Sequence, residues 1–210
     1  MLEYIQLLTS SKTCHLRSEN FSIVPDSLLL RPGTIPLISI RDPRLSVPSA
    51  YRVLERMNLP HAGSWAFFLT TTCNVWNCVL YNFYKSHGIE AVVVDANDYM
   101  TSETFVRGLC VRLGLDPSKV RFEWDAVTRE QKEKEIHPMQ YASQTTLYES
   151  SGVIAGRAAK NSDFTDVSVN WKEEFGDDAG LIEEMVGLAM PHYQYLCERR
   201  WSSGSVEEKA

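Results

Sequence analysis

The fold turns on one stretch, Gly33-Thr34-Ile35-Pro36-Leu37-Ile38-Ser39-Ile40-Arg41-Asp42-Pro43-Arg44, continued by Ser49, Tyr51 and Arg52. Ile35 to Ile40 is a short β-branched apolar run, bounded by Gly33 on one side and Asp42-Pro43 on the other. Those are the length and boundaries of a buried strand. The period then changes. Leu45, Tyr51, Val53, Leu54 and Met57 recur at helical steps, which predicts a helix starting near Asp42 to Arg44. Pro43 suits a first helical turn, where its missing N–H costs nothing, whereas Pro48 is tolerated only near a helix start or at a kink. The order is strand, tight turn, helix.

Working outward, Ala91 to Asp95 reads as a second buried strand. Upstream, Leu2, Ile5, Leu7 and Leu8 outline a short amphipathic helix, and Pro25 to Leu30 another helical turn. Between and after the strands, helical periodicity covers Gly63 to His87, Ser102 to Leu113, Thr128 to Glu135, Met139 to Ser150, Val167 to Phe175 and Leu181 to Cys197. Val120 to Trp124 reads as extended, and Gly152 to Asp163 as a loop rich in glycine and small residues. Strands that are continuous apolar runs alternate with helices. This predicts an α/β protein, a three-layer parallel sheet with helices on both faces. A sheet of two strands is small for that architecture, so another strand is expected from the N-terminal part. Residues 1–201 are expected to form a single domain and 202–210 a polar tail.

Over 210 residues, the hydrophobic share of 44% and charged share of 23% are those of a globular chain. The formal net charge of −6 argues against a general nucleic-acid binder, which needs a basic surface to release counterions. A small anion remains compatible with a few well-placed arginines. No apolar run is long enough to span a bilayer, so no membrane association is expected. Met1 to Leu8 carries Glu3 and has no basic flank, which is unlike a signal peptide. Cys14, Cys73, Cys78, Cys110 and Cys197 form no C-x-x-C pair and read as free thiols of a reducing compartment, the cytoplasm. His61, His87, His137 and His192 have no partner at metal-ligand spacing, so no metal is expected. Asp95 and Asp98, at a strand end, read as caps of the next helix or turn. Trp65, Phe68, Trp76, Phe83 and Tyr84 read as a core helix face, with an acceptor-binding wall as the alternative.

The chemistry concentrates at Arg41. It ends a buried strand, and in open α/β sheets ligands bind beyond those ends. Ser49 lies eight residues on, near the start of the following helix. A guanidinium and a hydroxyl beside a helix N-terminus form a good phosphate site. The alternative is a solvated charged turn in which Arg41 pairs with Asp42 or another neighbouring carboxylate.

Ile38-Ser39-Ile40-Arg41-Asp42-Pro43-Arg44 through Ser49-Ala50-Tyr51-Arg52 resembles the 3′-phosphate motif of the sulfotransferase family, in type and spacing. Glu90 to Asp98, then Phe105 to Leu115, look like that family's next strand, acidic turn and helix. Gly152 to Lys160 and Trp171 to Gly176 look like its late loop and helix. The resemblance covers roughly residues 25–200 and is similar in flavour to the P-loop sulfotransferase-like proteins of fungi and bacteria. It implies a sulfotransferase/P-loop NTPase-like fold. It also implies PAPS (3′-phosphoadenosine 5′-phosphosulfate) as cofactor, held by Arg41 and Ser49, with Arg157 and Lys160 closing over it from the late loop. The implied partner is a small-molecule acceptor of the secondary-metabolite kind. His15, after Lys12, is the local candidate for the base that deprotonates an acceptor hydroxyl.

The chain departs from the family pattern at its start. No G-x-x-x-x-G-K-[ST] or related phosphate loop precedes Arg41. The chain therefore reads as N-terminally truncated relative to the family. Alternative readings are a non-catalytic or repurposed relic of the fold that binds a nucleotide or partner, and an incomplete gene model. A homodimer stays open.

Overall fold

A computed structural model describes residues 18–20, 22–58, 71–154 and 171–202. Both expected strands are present. β1 (Leu37–Ile40) pairs in parallel with β2 (Val92–Asp95), in the register Leu37 to Val92 and Ile40 to Asp95. Among the described residues these two strands are the whole sheet. The protein is mixed α/β and mostly helical, with a sheet smaller than the three-layer expectation requires. Before β1, α1 (Asp26–Leu29) is the short turn read from Pro25 to Leu30.

The chain leaves β1 through Arg41 and Asp42 and enters α2 (Pro43–Arg56). Asp42 is the N-cap, and its carboxylate accepts the Arg44 backbone N–H at 2.9 Å. Pro43 occupies the first turn, where an N–H has no helical acceptor. Val47, Tyr51 and Leu54, at helical spacing, are the buried face. They pack on Trp171, Phe175, Ile182 and Val186, of which the last two belong to α8 (Ala179–Cys197). The Tyr51 hydroxyl donates to Asp178, and its ring meets Phe175 edge-on at 5.0 Å.

The helix expected over Gly63 to His87 is shorter where it is described. α3 runs Val75–Ser86, after Asn74 in the left-handed region at φ 55°. Asparagine is among the few residues that enter left-handed backbone cheaply. Phe83 and Tyr84 are buried and Trp76 partly so, as the core reading of the aromatic stripe requires; Trp65 and Phe68 lie outside the described residues. Beyond β2 come α4 (Ala96–Thr101) and α5 (Glu103–Arg112). Asp95 caps α4 through the Asn97 N–H at 2.7 Å, and Ser102 caps α5. Gly114, at φ 71°, closes α5 in a conformation that suits glycine. α6 (Arg129–Glu135) opens with a capping box of Thr128 and Gln131, and α7 (Pro138–Glu149) is kinked at Gln144.

The two faces of β2 differ in what they meet. Val93 joins Ile38, Ile40, Cys78, Ala189 and Leu196, whereas Val92 and Val94 pack on Phe105 and Leu109 of α5. This double burial is why β2 is apolar without alternation. The outer edge of β2 accepts the Trp201 N–H at the Val93 carbonyl, 2.8 Å away. The four described cysteines, Cys73, Cys78, Cys110 and Cys197, are free thiols. Among the described residues no helix is long and apolar enough to cross a membrane.

Candidate functional site

Arg41 and Ser49 line one groove of about 850 Å³, at the end of β1 and along the exposed face of α2. The fold places them there for a local reason. Arg41 leaves the strand just before the α2 cap, and Ser49, Arg52 and Arg56 recur at three- and four-residue steps on a single helix face. The same groove is lined by Arg44, so four guanidinium side chains border it. Its opposite wall is built from distant sequence: Trp124, Ser143, Gln144 and Leu147 of the kinked α7 region, and Gly152 to Ile154.

Arg44 and Arg52 each pair with a carboxylate among the described residues. Arg44, rather than Arg41, holds Asp42: its Nε lies 3.0 Å from each carboxylate oxygen and Nη2 is 2.5 Å from Oδ2. Donating hydrogen bonds to this carboxylate raises the Arg44 pKa above its ordinary value. Arg52 makes a two-pronged pair with Glu174 at 2.6 and 2.8 Å, and its guanidinium lies over the Phe175 ring at 5.5 Å. That pairing lowers the Glu174 pKa below the usual carboxylate value. Arg56 is exposed and, among the described residues, has no ion-pair partner. The groove therefore presents positive charge on a chain whose net charge is −6. It offers guanidinium forks and the Ser49 hydroxyl, which lies in the middle of α2 rather than near its start as expected, and this donor set fits a phosphate.

At the end of β2 the acidic side chains take structural partners. Asp95 accepts from the Asn97 N–H and, at 2.8 Å, from the Tyr193 hydroxyl. Asp98 lies 3.5 Å from Arg200. Burial raises the Asp98 pKa, more than Arg200 lowers it. Asp95 is a cap, as expected, while Asp98 is not.

The structure thus brings Arg41 and Ser49 to one groove. His15, Arg157 and Lys160 lie outside the described residues. Arg44 and Arg52 belong to the motif quoted from the sequence but carry no assigned role there, and Arg56 lies outside it, although the spacing of Ser49, Arg52 and Arg56 carries the signal. Trp124 and the α7 wall leave no local signal, because long-range packing brings them in.

The chain is similar to sulfotransferases in sequence. It is 32% identical over 194 residues to sulfotransferase ppzF of Metarhizium majus (strain ARSEF 297), a match covering 86% of this chain and 56% of that protein. The match to sulfotransferase ppzF of Metarhizium rileyi (strain RCEF 4871) has the same identity and the same coverage. The chain spans just over half the length of these curated relatives. No protein-family model matches the chain. No solved structure matches it either.

Proposed function

We propose that the chain is a sulfotransferase-like transferase that acts on a small-molecule acceptor with PAPS as donor, whose 3′-phosphate it binds. The observation that carries this reading is the meeting of Arg41 and Ser49 in one arginine-lined groove at the end of a parallel strand. PAPS, when bound, supplies an activated sulfuryl group. Arg41 and Ser49 hold the 3′-phosphate, the guanidinium by charge-assisted hydrogen bonds and the hydroxyl by a further one. Arg56 adds long-range attraction, while Arg44 and Arg52, held by Asp42 and Glu174, are fixed in place and contribute less free charge. By the family resemblance, Arg157 and Lys160 close over the same phosphate, and a His15 ring nitrogen takes the proton of the acceptor hydroxyl. The similarity to the Metarhizium sulfotransferases supports the reading over most of the chain.

Thermal unfolding with and without 3′-phosphoadenosine 5′-phosphate, with AMP as control, tests it. A ligand that binds only the native state stabilises it by RT ln(1 + [L]/Kd), about 2.7 kcal/mol at a hundred times Kd, and so raises the melting temperature. The expected result is stabilisation by the 3′-phosphorylated nucleotide and none by AMP. No shift with either nucleotide at millimolar concentration overturns the reading.

A further inference from the structure

Among the described residues that line the arginine groove, Glu174 alone carries a carboxylate. It meets Arg52 in the groove wall, at 2.6 and 2.8 Å. Two parallel contacts from one guanidinium to two oxygens are also the geometry in which arginine holds a phosphate. Arg52 follows Ser49 by three residues on the same face of α2. An anion at the Ser49 hydroxyl is therefore one helical turn from this guanidinium. Glu174 takes the position on Arg52 that such an anion would use.

The two ion pairs at the groove differ in how firmly they hold. Asp42 is buried and also caps α2, so its carboxylate cannot leave Arg44 without giving up the cap. Glu174 has neither constraint. Its side chain is 43% exposed, and among the described residues Arg52 is its sole partner. Trp171 and Phe175, on either side of it, are buried against α2 and α8 and anchor the segment whether or not the carboxylate is engaged. Rotation of one side chain is then enough to free Arg52. The released guanidinium stays at the groove, because it lies over the Phe175 ring at 5.5 Å. An ion pair this exposed resists displacement only weakly, and a phosphate dianion brings more charge than the carboxylate it replaces.

We infer that Glu174 is an internal competitor for the anion site: its carboxylate occupies Arg52 and is displaced by the phosphate of the bound nucleotide, which gains Arg52 as a further ligand. The inference rests on the nucleotide-binding reading of the groove, and it adds a binding residue and the contact that holds that residue back.

The test is a double-mutant cycle, read by calorimetric titration of 3′-phosphoadenosine 5′-phosphate and, separately, of inorganic pyrophosphate into the full chain. The proteins are wild type, Glu174→Gln, Arg52→Ala and the double variant. Glu173→Gln, at a carboxylate that does not line the groove, controls for net charge. Circular dichroism confirms that each variant is folded. Glu174→Gln should bind both probes about fivefold more tightly, the factor that an exposed ion pair is worth. At physiological ionic strength, where screening confines exposed charges to about 8 Å, Glu173→Gln should change either affinity less than about twofold. Adding Glu174→Gln to Arg52→Ala should likewise change affinity less than about twofold, because the carboxylate then has nothing to block. An equal gain in Glu173→Gln overturns the inference, as does the same gain with and without Arg52, since either reports general charge rather than displacement. If wild type binds the nucleotide and Glu174→Gln binds it no better, the inference falls and the donor reading stands. If pyrophosphate shows the expected cycle and the nucleotide does not bind, the donor reading falls and the competitor stands. If neither probe binds any folded variant, both fall.

Discussion

Replacing Asp42 should lower stability and raise anion affinity at once. This buried carboxylate has two tasks that two substitutions separate. It caps α2 through the Arg44 N–H, and it holds the Arg44 guanidinium at 2.5 to 3.0 Å. Asp42→Asn keeps a capping oxygen and removes the charge; Asp42→Ala removes both. Loss of a side-chain cap costs about 1 kcal/mol. The ion pair is partly exposed on the Arg44 side, whose side chain is 32% exposed against 7% for Asp42, so its loss is nearer about 1–2 kcal/mol than the larger cost of a fully buried pair. Asp42→Ala should therefore cost about 2–3 kcal/mol, and Asp42→Asn about 1 kcal/mol less. For a chain of this length 1 kcal/mol moves the melting temperature by about 2–4 °C, so the alanine variant should melt roughly 4–12 °C lower. Urea unfolding followed by tryptophan fluorescence measures both differences. Because Arg44 borders the groove, both variants should also bind inorganic pyrophosphate more tightly than wild type. Equal stability of the two variants would remove the capping role. Unchanged pyrophosphate affinity in both would show that Arg44 does not face the anion.

Three further outcomes are expected. Leu196→Ala, at a fully buried position between α3 and the sheet, should destabilise by about 2–5 kcal/mol in the same urea assay. Tyr193→Phe leaves one oxygen of the buried Asp95 without its hydroxyl donor and should cost about 1–3 kcal/mol, again read from urea unfolding. Glu174 has a pKa lowered by Arg52, so its contribution is present above the unfolded carboxylate pKa and is lost as pH falls through the lowered folded value. Wild type should thus lose slightly more stability than Glu174→Gln between neutral pH and acid. The difference should stay under about 1 kcal/mol because both partners are more than 40% exposed, and pH-dependent thermal unfolding measures it.

The strand, turn and helix around Arg41 were legible because each is a local matter: an apolar β-branched run, a proline at the first turn, and apolar residues at helical steps. β2, α5 with its Ser102 cap and Gly114 stop, and α6 with its Thr128/Gln131 box were legible for the same reason. The break at Asn74 was missed because aromatic periodicity runs through it, while the backbone there is left-handed. Half of the candidate site was equally local. Arg41 and Ser49 sit where strand and helix put them, and Arg52 and Arg56 share the Ser49 face. The Trp124 wall comes from contacts between residues 121–125 and 151–153, which share no period and no motif. Arg44, not Arg41, took Asp42, because a side chain in the first turn can fold back on its own cap.

The central claim is that Arg41 and Ser49 hold a 3′-phosphate. Isothermal titration of 3′-phosphoadenosine 5′-phosphate into wild type, Arg41→Ala and Ser49→Ala tests it most directly, with circular dichroism confirming that each variant is folded. A hydrogen bond to a charged group is worth about 1.5–3 kcal/mol, so Arg41→Ala should weaken binding by roughly 10- to 100-fold, Ser49→Ala by less, and AMP should not bind. Wild-type binding that Arg41→Ala leaves intact, or no binding by folded wild type, contradicts the claim.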